Sequence, residues 1–174
     1  MPSNSSPIDP AACPPRRLRR VGTIVVLTAV AALPAGCGSY TKSDFIARAD
    51  AICASSVRQT RTISPPSFGR TAAEQLSALG DYLNRVLPIA RSEVSQLRGL
   101  KLPKQTAAEG ATLAGYLVAV GRAVGDYQAL AAAAARADAR GVSDAEAALR
   151  ASPAATLAAR YGLRSCSAPG ATVA

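Results

Sequence analysis

Thr71-Ala72-Ala73-Glu74-Gln75-Leu76-Ser77-Ala78-Leu79 reads as the start of a helix. A threonine three residues ahead of a glutamate can cap reciprocally. The hydroxyl takes one orphan backbone N–H, and the carboxylate takes another. Behind it Leu76, Leu79, Leu83, Val86, Ala90, Val94 and Leu97 recur in steps of three and four, the spacing of one buried helix face. The same start signal occurs three more times, as Thr41-Lys42-Ser43-Asp44, Thr106-Ala107-Ala108-Glu109 and Ser143-Asp144-Ala145-Glu146. One match arises easily by chance. Four, each ahead of an apolar stripe, predict four helices.

The other stripes agree. The first helix presents Phe45, Ala49, Ile52, Cys53 and Ser56-Val57, and the third presents Leu113, Tyr116-Leu117, Val120, Val124, Tyr127 and Ala131. The last is weaker, with Leu149 and Leu157 separated by Ser152-Pro153. Proline suits a first helical turn, so the fourth helix is expected to break there, with Ser152 as the new cap. Pro88 falls inside helix two, where it lacks an N–H and should kink the helix. Linkers are read at 64–69, at 98–103 and at Arg140-Gly141, which is taken as the end of helix three. Tyr161-Gly162-Leu163 has the glycine-then-apolar form of a C-cap. Long helices with short connections pair antiparallel, so the fold class is all-α, an up-down four-helix bundle.

Composition fits this fold. The chain is 49% hydrophobic but only 4% aromatic, and alanine, the best helix former, makes up much of the apolar content. Gly121-Arg122-Ala123-Val124-Gly125 has the Gly-x-x-x-Gly spacing of close helix contact, expected here within the bundle. Tyr82, Tyr116, Tyr127 and Tyr161 fall on or beside the core stripes.

The amino-terminal region reads differently. Arg16-Arg17-Leu18-Arg19-Arg20 is a basic n-region, followed over 21–35 by an apolar stretch too short to span a bilayer and suited to a signal peptide. Ala35-Gly36-Cys37 then resembles the lipobox of bacterial lipoproteins, although Pro34 stands where leucine is usual. The resemblance implies a removed signal peptide over 1–36, a lipid on Cys37, and a short tether over 37–40. The alternatives are ordinary cleavage with release and an uncleaved anchor. The helical domain is then placed at 41–167 and a flexible tail at 168–174.

With Cys13 in the removed segment and Cys37 lipidated, Cys53 and Cys166 remain, in a compartment that permits disulfides. Their pairing would close a loop of more than a hundred residues. Two free thiols or a metal pair are the alternatives, and a zinc site lacks further ligands.

No histidine occurs anywhere in the chain, which removes the commonest general base and transition-metal ligand. The carboxylates do not fall at helical spacings that would gather them, and no catalytic residue, metal site or cofactor is expected. Sixteen basic and ten acidic residues follow from Cys37 onward. Nucleic acid is disfavoured, because aromatic residues do not interleave with the basic ones. The expected role is a non-enzymatic, membrane-tethered domain that binds a partner protein or ligand in the cell envelope. The alternative is a solute- or polyanion-binding module using the basic surface. Oligomeric state is left open.

Four stretches taken together resemble a group of uncharacterised actinobacterial lipoproteins. They are Cys37-Gly38, the segment from Ser43 through Ala49-Asp50-Ala51-Ile52-Cys53, Leu100-Lys101-Leu102-Pro103, and Tyr161-Gly162-Leu163-Arg164-Ser165-Cys166. The resemblance implies a small helical domain bracketed by the first and last of the helical segments. It carries no activity, substrate or cofactor.

Overall fold

The computed structural model describes residues 40–168 and residue 171. The segment read above as a signal peptide, the expected lipid acceptor Cys37, and Gly38-Ser39 lie outside the described residues, as do residues 169, 170 and 172–174 of the expected tail. Among the described residues every regular element is a helix: α1 (Lys42–Arg61), α2 (Ala72–Gly99), α3 (Ala107–Ala135), α4 (Ala139–Arg150) and α5 (Ala154–Tyr161).

Three of the predicted capping boxes are present. Thr41 Oγ1 accepts from Asp44 N–H at 3.2 Å, and Asp44 Oδ2 accepts from Thr41 N–H at 2.9 Å. Thr71 with Glu74 and Thr106 with Glu109 repeat the arrangement. The fourth does not form, because Ser143 lies inside α4. Helix three ends at Ala135 rather than at Arg140-Gly141. Ala137 adopts a left-handed conformation (φ 53°), its N–H donating to Ala134 O at 3.0 Å while Asp138 N–H donates to Ala133 O at 2.9 Å. These two bonds satisfy the last carbonyls of α3. Asp138 Oδ1 then accepts from Gly141 N–H at 2.9 Å and starts α4 before Ser143 is reached.

A left-handed alanine costs about 1 kcal/mol or more that glycine does not pay. Ala137→Gly is therefore expected to raise the stability of the folded chain by up to about 1 kcal/mol, the gain reduced by glycine's greater unfolded entropy. Urea unfolding checks this, with an unchanged slope and a higher midpoint.

α2 and α3 pair antiparallel. Gly80, near the start of α2, faces Ala131, Ala134 and Ala135 near the end of α3, and Arg98 at the end of α2 donates to Leu117 O at 3.3 Å. The small residues at the first crossing let the backbones approach closely. α2 runs through Pro88 without ending. α1 packs against α2, and because Lys42 meets Glu109 and Cys53 meets Tyr116 it runs in the same direction as α3. α4 and α5 together form the fourth strut. They return along α3 from Gly141, beside Ala133, through Leu157, beside Gly115, to Tyr161, whose hydroxyl donates to Gln105 Oε1 at 2.6 Å. The strut breaks at Ser152-Pro153 as expected, but the cap position falls on Pro153 rather than Ser152, and α5 starts at Ala154; Ser152 Oγ accepts from Ala154 N–H at 3.3 Å. The architecture is thus an up-down-up-down bundle with a broken last helix.

The Gly-x-x-x-Gly of α3 does not make the close helix contact its spacing suggested. A Cβ on Gly125 would meet nothing within 4 Å. Gly121 instead makes room for the Arg98 guanidinium. The arginine reaches across to cap a carbonyl, and a side chain at 121 would displace it.

The larger core cluster joins Phe45, Ala49 and Cys53 of α1 to Val94 and Leu97 of α2, to Leu113, Tyr116 and Val120 of α3, and to Ala158, Tyr161, Leu163 and Cys166. A second cluster, around Leu83, Leu87, Leu130 and Ala145, holds the opposite end. Both clusters lie wholly within the helical domain, which carries its own core. Among the described residues no helix is long and apolar enough to cross a membrane.

Candidate functional site

The two segments farthest apart in the domain, the stretch around Asp50 and the stretch before Cys166, meet in one place. Cys53 and Cys166 form a disulfide across a sequence separation of 113 residues, with their Cα atoms 5.2 Å apart. Both are buried. One turn earlier on α1, Asp50 accepts two backbone N–H bonds, from Arg164 at 3.2 Å and from Ser165 at 2.8 Å. Two N–H groups at the end of the chain thereby find a charged acceptor, the stronger kind of hydrogen bond. Another turn back, the Phe45 ring packs edge-on to Tyr161 with centroids 5.8 Å apart. Gly162 terminates α5 with φ 104°, and Leu163, fully buried, follows it inward. The physical content of the paired segments is therefore a clamp of disulfide, carboxylate and aromatic contact that locks the chain's end to its first helix.

Sequence reasoning brought the cysteines together but missed Asp50. Its partners are backbone groups 114 and 115 residues away, which leave no side-chain signature.

It also missed Glu93, which is 1% exposed. The signal was there, since Glu93 shares the inward stripe of α2 with Ala90, Val94 and Leu97. Burial, and then the nearby Glu93 charge, push the phenol of Tyr116 up, with Asp50 adding to the effect. The same burial, then Tyr82 and Glu93, raise that of Tyr127. The Tyr116 hydroxyl also reaches Cys53 Sγ at 3.9 Å, a contact in which only the hydroxyl can donate once the sulfur is in a disulfide. Among the described residues no cluster of Cys, Asp and Glu could hold a metal ion.

The end of the bundle where α1 and α3 begin is built on polar contacts. Glu109 accepts from Lys42 Nζ through Oε1 at 2.8 Å and from Thr106 N–H through Oε2 at 2.9 Å. One carboxylate thus caps α3 and ties it to α1. The Lys42 bond first, then the Thr106 bonds, hold the Glu109 carboxyl down at about 2, against an ordinary 4.5. The bonds to Thr41 and to Thr71 likewise lower Asp44 and Glu74. A carboxylate depressed by folding adds stability above its ordinary value and loses it as pH falls toward the folded one. The domain is accordingly expected to lose stability between pH 4.5 and about 2. Glu109→Gln should be less stable than the parent at neutral pH and should lose less across that acid window. Denaturation midpoints followed against pH test this, and parallel curves for parent and variant would contradict it.

A concavity of about 400 Å³ lies where the fourth strut breaks away from α3. Gly115 leaves space there, and Val118, Pro153 and Leu157 give it apolar walls. Arg122 and Asp126, one turn apart, place opposite charges along one side. Val118 is 51% exposed, so its side chain is open to whatever enters the groove. The volume falls at the small end of the range for ligand sites, roughly 300–1,000 Å³. A compact molecule or one or two apolar side chains would fill it. No family model, no curated protein and no solved structure matches the chain.

Proposed function

We propose that this protein is a lipid-anchored envelope protein, held by Cys37 on the outer face of the membrane, with a non-catalytic helical domain that binds a partner protein or ligand. One observation carries the reading. A basic stretch and an apolar segment end at Ala35-Gly36-Cys37, only five residues ahead of the first residue of α1. The apolar segment is then a leader, the cysteine an acceptor for lipid, and the bundle the working part. The disulfide between Cys53 and Cys166 suits an oxidising compartment.

The groove at the break of the fourth strut is the contact we assign to the partner. Its charges are mixed in sign, which favours a protein or an amphipathic ligand over a polyanion at that place. A chain without histidine supports the non-catalytic part of the reading.

Cys37→Ala tests the anchor in cells. The expected result is loss of the protein from the membrane fraction into the medium. A variant that stays membrane-bound, with its signal cut or uncut, would overturn the reading.

A further inference from the structure

The chain has only three lysines, Lys42, Lys101 and Lys104, against seventeen arginines, and all three sit at the same end of the bundle. That end gathers the start of α1, the α2–α3 connection, the start of α3 and the end of α5. Tyr40 belongs to it as well, its ring flanked by Arg48 at 5.3 Å and Lys101 at 5.9 Å. Between Lys101 and Lys104, Leu102 is 59% exposed while Pro103 beside it is buried and fixes the loop. An apolar tip between two exposed lysines results.

The acidic groups at this end are fewer than the basic ones. Glu109 is paired with Lys42, and Asp44 is bonded to Thr41. Lys101, Lys104, Arg48 and Arg160 therefore stand against the single remaining charge of Asp44, which leaves this end net positive. At the opposite end Arg58, Arg61, Arg70, Arg136 and Arg140 are interspersed with Glu74, Asp81, Asp138 and Asp144.

Chain length fixes where the basic end must be. Tyr40 lies three residue steps beyond Cys37. At most about 3.6 Å per residue, they cannot span more than roughly 11 Å in any conformation. If Cys37 bears the lipid, this end of the bundle is held within about one Debye length of the headgroups. We propose that this end, with Lys101, Leu102 and Lys104 at its tip, docks on anionic lipid headgroups. It thereby holds the bundle upright and adds a second attachment to the acyl chains. The lysines supply attraction to the surface, and Leu102 supplies an apolar side chain at headgroup depth. The opposite end and the groove midway along the bundle then face away from the membrane.

The orientation rests on the anchored reading, but headgroup binding can be measured without it. Residues 38–174 contain both core clusters and the disulfide and lack Cys37. This domain should co-sediment with phosphatidylcholine vesicles that contain phosphatidylglycerol, and not with phosphatidylcholine alone. High salt should release it. Lys101→Gln with Lys104→Gln should weaken binding by about 10- to 30-fold, given the usual contribution of a lysine near an anionic surface. Arg58→Gln with Arg61→Gln, at the other end, should leave it unchanged. Both pairs are exposed, so helical content by circular dichroism should match the parent. Failure to bind anionic vesicles, equal binding to both vesicle types, or equal losses from the two pairs would overturn the proposal. None of these outcomes bears on Cys37, whose role is decided by the Cys37→Ala fractionation.

Discussion

Replacing Cys53 and Cys166 together by alanine is expected to lower the domain's stability by about 2–5 kcal/mol, the usual range for a native disulfide in a small domain. The bridge spans 113 residues, nearly the whole domain, so its removal frees almost the entire unfolded chain. The folded state has other means of holding the chain's end. Asp50 still binds Arg164 and Ser165, and Leu163 stays buried. The effect therefore falls mainly on the unfolded ensemble, and the urea slope should rise as that ensemble expands. The reduced parent should behave as the double variant does. Equal midpoints for the oxidised parent, the reduced parent and the variant would show that the bridge closes nothing.

Phe45→Ala should cost a similar amount, about 3–5 kcal/mol, for a different reason. Phe45 is fully buried and is the largest apolar side chain that α1 places in the main core. Its removal leaves a void beside the Tyr161 ring. Because Tyr161 is also tied to Gln105, the ring cannot swing in to fill the gap without losing that bond. Phe45→Leu should recover much of the loss. Both perturbations loosen the hold of α1 on the terminal segment, so combining them should give less than the sum. Near-ultraviolet dichroism of the tyrosines together with urea midpoints reports both effects. A loss below about 1 kcal/mol for Phe45→Ala would mean that α1 and α5 do not pack as described.

Much of this fold was legible because local chemistry and the tertiary answer coincide. At Thr41, Thr71 and Thr106 the cap is followed directly by a buried stripe, so one pattern reports both the start of the helix and its inward face. Pro153 broke the fourth strut where its missing N–H dictated. Ser143 had the same pattern and no cap, since an earlier competitor, Asp138, had already captured the first turn. That competitor was hard to see because an alanine, Ala137, takes the left-handed position that glycine usually marks. Gly121 and Gly125 misled for a related reason. Spacing of small residues says that a helix can approach, and here what approaches at Gly121 is a single arginine.

The candidate site was less legible. The cysteines could be paired by counting. The Asp50 clamp depends on backbone groups at the far end of the chain, and the groove depends on how far the break at Pro153 lifts the last strut from α3. Neither leaves a periodic trace. The clustering of the lysines became visible only after the topology had brought residue 42 beside residues 101 and 104.

The most direct test of the whole account is the intact mass of the protein extracted from membranes by detergent without reductant. The expected species begins at Cys37, carries a diacylglyceryl group on that residue, and lacks two hydrogens for the bond between Cys53 and Cys166. An uncut chain, a mature chain that begins elsewhere, or an acylated chain with both remaining thiols free would contradict it.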